Sequence, residues 1–460
     1  MATSTAFNAD RRNLSRVALT TVLGATLEWY DFFLYGTAAA LVFAQLFFPT
    51  FDHLVGTLVA FATFTVGIAA GPVGGFVFGH FGDKLGRKPM LVITLLMMGI
   101  SSFLIGVLPT YAAAGVLAPI LLLVLRILTG IAIGGEWGGA ALMVVESASE
   151  RRRGFYGSLP GIGAVAGFVL STGAFAAVNL LPEQQFIAWG WRLPFLASIA
   201  LTAVGLYARL RILETATFRA EKSTGHVPAR RPLVEALRQH PGAILLILGC
   251  RLGESVPFVI FAVFALTYAR DQLQAPATPV LIGAVVAALV ECATIPIFGA
   301  LSDRIGRRPL YLGASLFLVA YAFPFFWLID SRSMPLIWLA LIVGLGIGHA
   351  PLYAVQPAFF SALFDTRVRS SGLGIAFSIG TVIAGGIAPL VATALLAWSG
   401  GAAWPIALYI LAAAAITVVA TWFTRETYRT SVGSDTSAAL AAIPDGAAPA
   451  VGPTSPADPA

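Results

Sequence analysis

Seven charged residues interrupt stretches of the sequence that are otherwise apolar, and these residues could do chemistry. Four lie in the first third of the chain and three in the second half: Glu28, Asp31, Arg126, Glu136, Arg251, Glu254 and Glu291. A charge at the depth of a lipid bilayer costs at least about 2.5–3.5 kcal/mol, so each position requires a function or a partner. Carboxylates in such places can take up and release protons, whereas a guanidinium group can hold an organic anion through two parallel hydrogen bonds.

Two acidic residues of the first apolar stretch, Glu28 and Asp31, are three positions apart and therefore share one face of a helix. A carboxylate in a cavity with little water keeps its proton more readily, and a nearby guanidinium group promotes its release. We therefore expect Asp31, beside Glu28, to carry a proton and Arg126 to be the partner that resets it, with Glu136 as an alternative carrier. The other possibility is that Asp31 and Arg126 only form a fixed salt bridge between two helices.

The arginines of the apolar stretches, Arg126 and Arg251, suit the binding of an organic acid. Arg251 and Glu254 are also three positions apart, so a second interpretation is that they simply neutralise each other. Three aromatic residues beside these charges could stack on the body of such a ligand, unless they serve only in packing or as interface anchors: Trp29, Tyr30 and Trp137.

Two other polar residues in apolar stretches have a simpler interpretation. His349 lies among glycines, and although an imidazole titrates near neutral pH, a lone histidine of this kind is more often a packing residue whose hydrogen bonds are satisfied. For Glu291, a structural and a functional role remain equally open. The five histidines of the chain are scattered, which predicts no metal site and no nucleophile–base pair of an enzyme.

Composition indicates which elements hold these charges. Of the 460 residues, 58% are hydrophobic and only 11% are charged, where a soluble domain carries about 25%. A water-soluble globular protein is excluded, because too few polar side chains are present to cover its surface.

Apolar stretches long enough to cross a bilayer as helices occur twelve times. They cover residues 17–47, 55–79, 89–109, 115–145, 154–181, 192–212, 241–268, 278–300, 309–329, 334–362, 371–397 and 402–424. We therefore predict an all-α membrane protein with twelve transmembrane helices.

The distribution of basic residues predicts the orientation. Of 28 lysines and arginines, 23 lie in the two termini and in the loops that follow even-numbered helices. By the positive-inside rule, both termini are cytoplasmic, and the net charge of +6 reflects topology rather than binding to nucleic acid. We expect residues 1–16 to be a short cytoplasmic segment and residues 425–460 a disordered cytoplasmic tail. The first apolar stretch is too long for a cleaved signal peptide.

An internal repeat divides the chain. Residues 79–89 and 299–309 both have the pattern G-x-x-x-D-(K/R)-x-G-R-(K/R)-P, at an offset of 220 positions. The repeat predicts two six-helix halves, 17–212 and 241–424, related by pseudo-two-fold symmetry and joined by a cytoplasmic linker, 213–240. In transporters built this way, the substrate path lies between the halves.

The repeated loops predict a gate at the cytoplasmic face. The aspartate of each loop lies at the end of a helix, where a carboxylate can cap a neighbouring helix or pair with arginine and so hold this face shut. The predicted gate residues are Asp83, Lys84, Arg87, Glu146, Arg153, Asp303, Arg304 and Arg307.

The two loops resemble the signature loop of the major facilitator superfamily, and residues 126–130 resemble its R-x-x-Q-G motif. Residues 27–32 (LEWYDF) and 134–139 (GGEWGG) are similar to the metabolite:H⁺ symporter family within it, which includes shikimate, proline/betaine, 2-oxoglutarate and citrate carriers. The resemblance covers about residues 15–428. Three further segments look most like the shikimate-carrier branch: 36–40, 154–158 and 211–215. Glycine or threonine replaces the family's usual polar residue at Gly71, Thr129 and Gly161.

The resemblance implies a fold in which helices 1, 4 and 7 surround one cavity, which would bring the charged residues together. It implies a monomeric proton-coupled symporter of the plasma or inner membrane that imports a small carboxylate or zwitterion. Such a protein needs no cofactor, because the proton gradient drives it, and its partners are the substrate, protons and lipid. The alternative is a proton antiporter that exports a drug or metabolite, although helix 5 lacks the Gly-Pro-x-x-Gly-Gly string typical of exporters.

Overall fold

A computed structural model describes most of the chain, in these ranges: 21–75, 77–78, 87–134, 144–145, 148–212, 237–365 and 368–428. The predicted amino-terminal segment, most of the linker and most of the tail lie outside the described residues. We call 21–212 the amino-terminal part and 237–428 the carboxy-terminal part.

The described chain is helical, as the apolar stretches predict. Its long helices, in chain order, are α1 Thr21–Phe47, α2 His53–Gly75, α3 Arg87–Val107, α4 Leu117–Gly134, α5 Arg153–Val178, α6 Leu193–Ile212, α7 Pro241–Asp271, α8 Ala277–Ile305, α9 Arg307–Asp330, α10 Met334–Ser361, α11 Ser371–Trp398 and α12 Trp404–Phe423. Within the described residues, ten helices are long and apolar enough to cross a membrane, all of these except α3 and α6. The prediction of an all-α membrane protein is confirmed.

The end of α8 differs from the sequence prediction. The eighth apolar stretch ends at residue 300, but α8 continues to Ile305 and includes the first half of the repeated loop. Gly306 then ends the helix with a φ angle of 101°, in the left-handed region that glycine adopts at little cost. Asp303 therefore lies on the last turn of α8 and points from the helix rather than from a loop.

Wider π-helical turns interrupt four of the long helices. Those of α1 (Ala39–Phe43) and α7 (Ile260–Phe264) begin 221 positions apart, close to the offset of the repeated loop. The other two lie in α10 (Gly344–His349) and α11 (Thr381–Gly386). Such turns are rare and often occur at functional sites, where helices bend.

Among the described residues, the main helix pairs that join the amino-terminal part to the carboxy-terminal part are α5 with α8, α2 with α11, and α5 with α10. The repeat offset converts the first pair into the second, because it relates α2 to α8 and α5 to α11. Glycine permits the close approach of α5 and α8, since a Cβ atom at Gly154 would lie 2.5 Å from the carbonyl oxygen of Gly299. In the second pair, the Thr65 hydroxyl donates to the carbonyl of Gly386 at 2.6 Å.

Candidate functional site

A cavity of about 60 Å³ lies where α1, α2 and α4 face α11. Three residues that the sequence predicted for the site contribute to its wall: Glu28, Trp29 and Arg126. The opposite wall belongs to the carboxy-terminal part and includes Phe377 and Thr381. The cavity therefore lies between the two parts of the chain, where the repeat placed a substrate path.

Arg126 presents unused hydrogen-bond donors to this cavity. Its guanidinium carbon lies 4.4 Å from the ring centre of Tyr35 and 4.9 Å from that of Phe64, a favourable cation–π position. Gly67 provides the space, because a Cβ atom there would lie 2.5 Å from Arg126 Cγ. Only 1% of Arg126 is exposed, yet its Nε and Nη2 atoms have no hydrogen-bond partner among the described residues. Buried donors in this state are rare and suit the binding of an anion.

Asp31 is also buried and incompletely paired. It is 3% exposed, its carboxylate lies beside the Ser102 hydroxyl, and its Oδ1 atom has no partner in the described part of the chain. These two described side chains, Asp31 and Arg126, form no ion pair, because the guanidinium group is held between Tyr35 and Phe64 instead. The fixed salt bridge that was the alternative interpretation of these residues is therefore not present in this structure.

The aromatic residues beside these charges divide into two roles. Trp29 lines the cavity, but Tyr30 does not belong to the described lining, and its hydroxyl donates to the carbonyl of Pro194 in α6 at 2.6 Å. Adjacent residues on a helix point about 100° apart, so the two rings face different neighbours. The polar atom of Tyr30 therefore holds α1 against α6 in this structure, and substrate binding by Tyr30 stays a prediction.

Arg251 is bonded through both terminal nitrogens in the carboxy-terminal part, while its Nε atom has no partner among the described residues. It donates to Glu254 at 2.7 Å and to Gln356 at 3.0 Å through Nη1, and to Thr381 at 2.9 Å through Nη2. Its guanidinium carbon also lies 3.8 Å from the ring centre of Phe377. The second interpretation of the i, i+3 spacing, mutual neutralisation, describes this pair. Neither Arg251 nor Glu254 is among the described residues that line the cavity, although Thr381 is.

His349 is the residue that sequence reasoning missed. It is 1% exposed and bridges two acids, with Nε2 at 3.2 Å from Glu254 Oε1 and Nδ1 hydrogen-bonded to Glu291 Oε1. The sequence favoured a satisfied packing histidine, and His349 is hydrogen-bonded and packed, but its partners are two buried carboxylates that the sequence did not connect with it. Their similar depth in the membrane could have indicated that the three residues meet. Glu254, Glu291 and His349 are each 13 to 15 positions from the start of their helices, so all three lie at mid-helix depth.

The predicted gate is partly visible. Asp303 accepts hydrogen bonds from the backbone N–H groups of Gly154 (2.7 Å) and Phe155 (2.9 Å), so the last turn of α8 caps the first turn of α5. Arg307 donates to the carbonyls of Ala358 and Thr427 within the carboxy-terminal part, and its charge also interacts with that of Asp303. Its role in the gate stays a prediction.

The structure describes the side chains of two further predicted gate residues. Arg153 lies 3.8 Å from the Glu150 carboxylate, and Arg304 is exposed. Of the other predicted site residues, the following lie outside the described residues, or have a side chain that does: Asp83, Lys84, Arg87, Glu136, Trp137 and Glu146.

The two parts of the chain are also joined at the other end of α8. Arg270 in α7 donates to the carbonyl of Leu41 in α1 at 2.6 Å. Asn179, just beyond α5, donates to Thr278 at the start of α8 at 2.8 Å. Contacts between the parts are thus present at both ends of the bundle, with the cavity between them.

Comparisons with known proteins agree with this architecture. Residues 17–245 match the family described as "Sugar (and other) transporter", and residues 252–453 match "Major Facilitator Superfamily". The shikimate transporter of Escherichia coli K12 is 42% identical over 417 residues, which cover 90% of this chain and 95% of that protein. The chain belongs to the major facilitator superfamily, among its metabolite:H⁺ symporters.

Other relatives have related descriptions. A glycine betaine/proline/ectoine/pipecolic acid transporter of Dickeya dadantii (strain 3937) is 36% identical over 429 residues, which cover 91% of this chain and 84% of that protein. The crystal structure of a D-xylose–proton symporter superposes with a TM-score of 0.67 at 18% identity, covering 89% of this chain and 97% of that one. At that identity the likeness shows the fold alone. This member of the superfamily is therefore a multi-pass membrane transporter and not an enzyme.

Proposed function

We propose that this transporter imports a small organic acid or zwitterion together with protons, and that the substrate carboxylate binds to Arg126. The observation that supports this most directly is the pair of unused donors on a buried guanidinium group facing a cavity. A carboxylate can accept two parallel hydrogen bonds from such a group. The names of the relatives fit this chemistry, since shikimate is a carboxylate and betaine and proline are zwitterions.

The proposed substrate is a compact ring acid of the shikimate type. The wall of the cavity combines Arg126 with the aromatic rings of Trp29, Phe32 and Phe377, which could cover the faces of a ring, and with the hydroxyl of Thr381, which could bond to a substrate hydroxyl. The 42% identity to a shikimate transporter supports the same choice. Proline and betaine are the alternatives to compare.

The proposed architecture has twelve transmembrane helices in two pseudo-symmetric halves, with both termini in the cytoplasm of an inner-membrane protein. The 23 basic residues on one side of the predicted topology support this orientation. We also propose that the transporter works as a monomer without a cofactor, because the cavity and its end contacts are built within one chain and the proton gradient can supply the energy.

Alternating access would use the contacts at the two ends in turn. The structure has contacts between its parts at the Asp303 end and at the Arg270 end, which fits an occluded intermediate. Opening toward one side requires breaking the contacts at that end while the helix pairs rock against each other. Asp303 is the proposed latch of the cytoplasmic side.

Asp31 is the proposed proton carrier beside the substrate. The unpaired carboxylate oxygen of Asp31 lies on the part of α1 that carries the cavity residues. A protonated Asp31 is neutral, so the positive charge of Arg126 remains available to the substrate anion. Loss of the proton restores a negative charge that competes with that anion. Proton and substrate occupancy are thereby linked.

Transport assays in proteoliposomes test the proposal. Labelled shikimate, proline and betaine are each offered to vesicles with an inward proton gradient, with and without a protonophore. We expect accumulation of one of them that the protonophore abolishes, and we expect Asp31→Asn to lose accumulation while keeping part of the exchange of labelled for unlabelled substrate. Full accumulation by Asp31→Asn, or efflux driven by the same gradient, would contradict symport through Asp31.

A further inference from the structure

The carboxy-terminal part contains a buried cluster of charged groups that is separate from the cavity wall. Glu254 of α7, Glu291 of α8 and His349 of α10 meet there, and none is more than 3% exposed. The His349 ring is stacked between Phe258, at a centroid distance of 4.1 Å, and Tyr353, at 5.2 Å. The stacking fixes the plane of the imidazole, so each ring nitrogen faces one carboxylate.

This geometry requires a proton. A neutral imidazole has one N–H donor and one nitrogen that only accepts, whereas an ionised carboxylate only accepts. Because both nitrogens of His349 face carboxylate oxygens, the two contacts can coexist only if His349 is an imidazolium or one glutamate is protonated. Either way, the cluster holds one proton that can be exchanged.

The charge balance gives the same count. Arg251 supplies one positive charge to the cluster through its 2.7 Å contact with Glu254, and the two glutamates supply two negative charges. With one added proton the cluster is neutral, and without it the cluster has a buried net charge of −1, which is costly in a low-dielectric interior. Among the described residues, the titratable and charged groups that face it from the packed helices are Arg251 and Glu254 of α7, Glu291 and Cys292 of α8, Tyr311 of α9, His349 and Tyr353 of α10, and Glu28 of α1.

We propose that the Glu254–His349–Glu291 cluster is a second proton-binding site, distinct from Asp31, whose occupancy is coupled to the substrate cavity. The coupling rests on the proposed function, whereas the binding of the proton does not. No sodium ion or other cofactor is needed for it.

Two routes connect the cluster to the cavity. Arg251, which contacts Glu254, also donates to Thr381, and Thr381 lines the cavity opposite Arg126. Tyr353, which stacks on His349, meets the ring of Trp29 edge-on at a centroid distance of 6.5 Å, and Trp29 lines the cavity as well. A change in the cluster therefore reaches side chains that would touch the substrate.

Deprotonation would change the packing of α10. When the N–H proton of His349 is released to water, the nitrogen keeps the electron pair and faces a carboxylate oxygen. The nitrogen and that oxygen then repel each other, so one of the two contacts is lost. The wide turn Gly344–His349 ends at this residue and gives α10 a place to bend. The prediction is that α10 moves away from α7 or from α8 when the proton leaves.

An experiment without substrate tests proton binding. The purified full-length protein is placed in lipid nanodiscs and titrated with pH under infrared difference spectroscopy. We expect His349→Gln and Glu291→Gln each to remove a titrating component of the wild-type spectrum. The matched control is His240→Gln, because His240 also faces a carboxylate, that of Asp365 at 3.2 Å, but lies at the start of α7 outside the cavity.

Identical difference spectra for the wild type and both cluster variants would overturn the proposal. Two substitutions at different helices protect the test against one variant that does not fold, and circular dichroism with size-exclusion elution identifies such a variant. This titration decides proton binding whichever compound is transported.

Transport then tests the coupling. With a gradient of about one pH unit, each coupled proton contributes about tenfold to the limiting accumulation of substrate. We expect His349→Gln to lower the accumulation of labelled shikimate by about tenfold while exchange of labelled for unlabelled shikimate continues. Undiminished accumulation by His349→Gln would overturn the coupling, whereas absence of transport of shikimate, proline and betaine by the wild type would count against the proposed function and leave the infrared result standing.

Discussion

The charged groups of the two parts of the chain differ in how completely they are paired. In the amino-terminal part, Asp31 and Arg126 are buried with unpartnered polar atoms among the described residues. In the carboxy-terminal part, Arg251, Glu254 and His349 bond to one another and to neighbouring side chains, and Arg251 Nε and Glu291 Oε2 are the atoms of this cluster left without a partner among the described residues. A buried charge without an ion pair leaves room for a charged ligand, whereas charges that are ion-paired with one another form their own network. The difference supports the proposed substrate binding in the first region and the proposed protonation site in the second.

The largest effect that would sharpen this comparison is on stability. Glu254→Gln leaves the buried guanidinium of Arg251 without its counter-charge, which costs about 3–5 kcal/mol when one member of a buried ion pair is removed. Asp31→Asn should cost far less, because Asp31 has no ion pair to lose. Thermal unfolding in detergent of both variants measures the contrast, and equal losses of stability would break the comparison.

The next effect is on affinity. Arg126→Lys keeps the positive charge but loses the planar fork, so a bound carboxylate loses one charge-assisted hydrogen bond of about 1.5–3 kcal/mol, roughly 10- to 100-fold in affinity. Calorimetric titration with the transported acid measures it. Arg238→Gln, at an exposed position before α7, is the matched control. An unchanged affinity in Arg126→Lys would show that the carboxylate binds elsewhere.

A smaller effect is expected at the cytoplasmic latch. Asp303→Asn weakens the cap of α5 by about 0.5–2 kcal/mol and should shift the population toward the state open to the cytoplasm. Distances between spin labels on α5 and α8 report this shift. Asp330→Asn serves as the control, because Asp330 accepts from Tyr268 inside the carboxy-terminal part. If both variants give the wild-type distances, Asp303 is not a latch.

The smallest effect is predicted for Tyr30→Phe. This change removes one hydrogen bond to Pro194, worth about 0.5–1.5 kcal/mol, and should lower thermal stability slightly. Substrate affinity should not change, since the Tyr30 hydroxyl is used between α1 and α6. A clear loss of affinity at unchanged stability would return Tyr30 to the binding site.

The fold was more predictable than the site. Apolar length gave the helices to within a few residues in most cases, because a bilayer imposes one length on every span. The exception was the end of α8, where polar residues of the loop motif continue the helix to Ile305 and only the backbone of Gly306 ends it. A polar composition signals the membrane surface, but it does not signal where a helix stops.

Within the site, the sequence identified which residues carry charge but not which of them meet. The pair Arg251–Glu254 could be predicted from its spacing because both residues lie on one helix. The contact of His349 with Glu254 and Glu291 joins three helices, and no local spacing encodes it. Conversely, the sequence left open whether Asp31 and Arg126 form a fixed salt bridge, and in the structure they do not, since cation–π contacts with Tyr35 and Phe64 hold the guanidinium group.

The sequence by itself determined that this is a membrane protein and that its loop motif repeats after about 220 residues. It also determined that about seven charged residues lie at bilayer depth, where each needs a partner or a function. These properties follow from hydrophobicity and from local patterns along the chain, which need no knowledge of packing. Only the tertiary structure decided which charges are satisfied and which face an empty space. Pairing depends on side chains from different helices, and their rotation about each helix axis is fixed by packing rather than by position in the sequence.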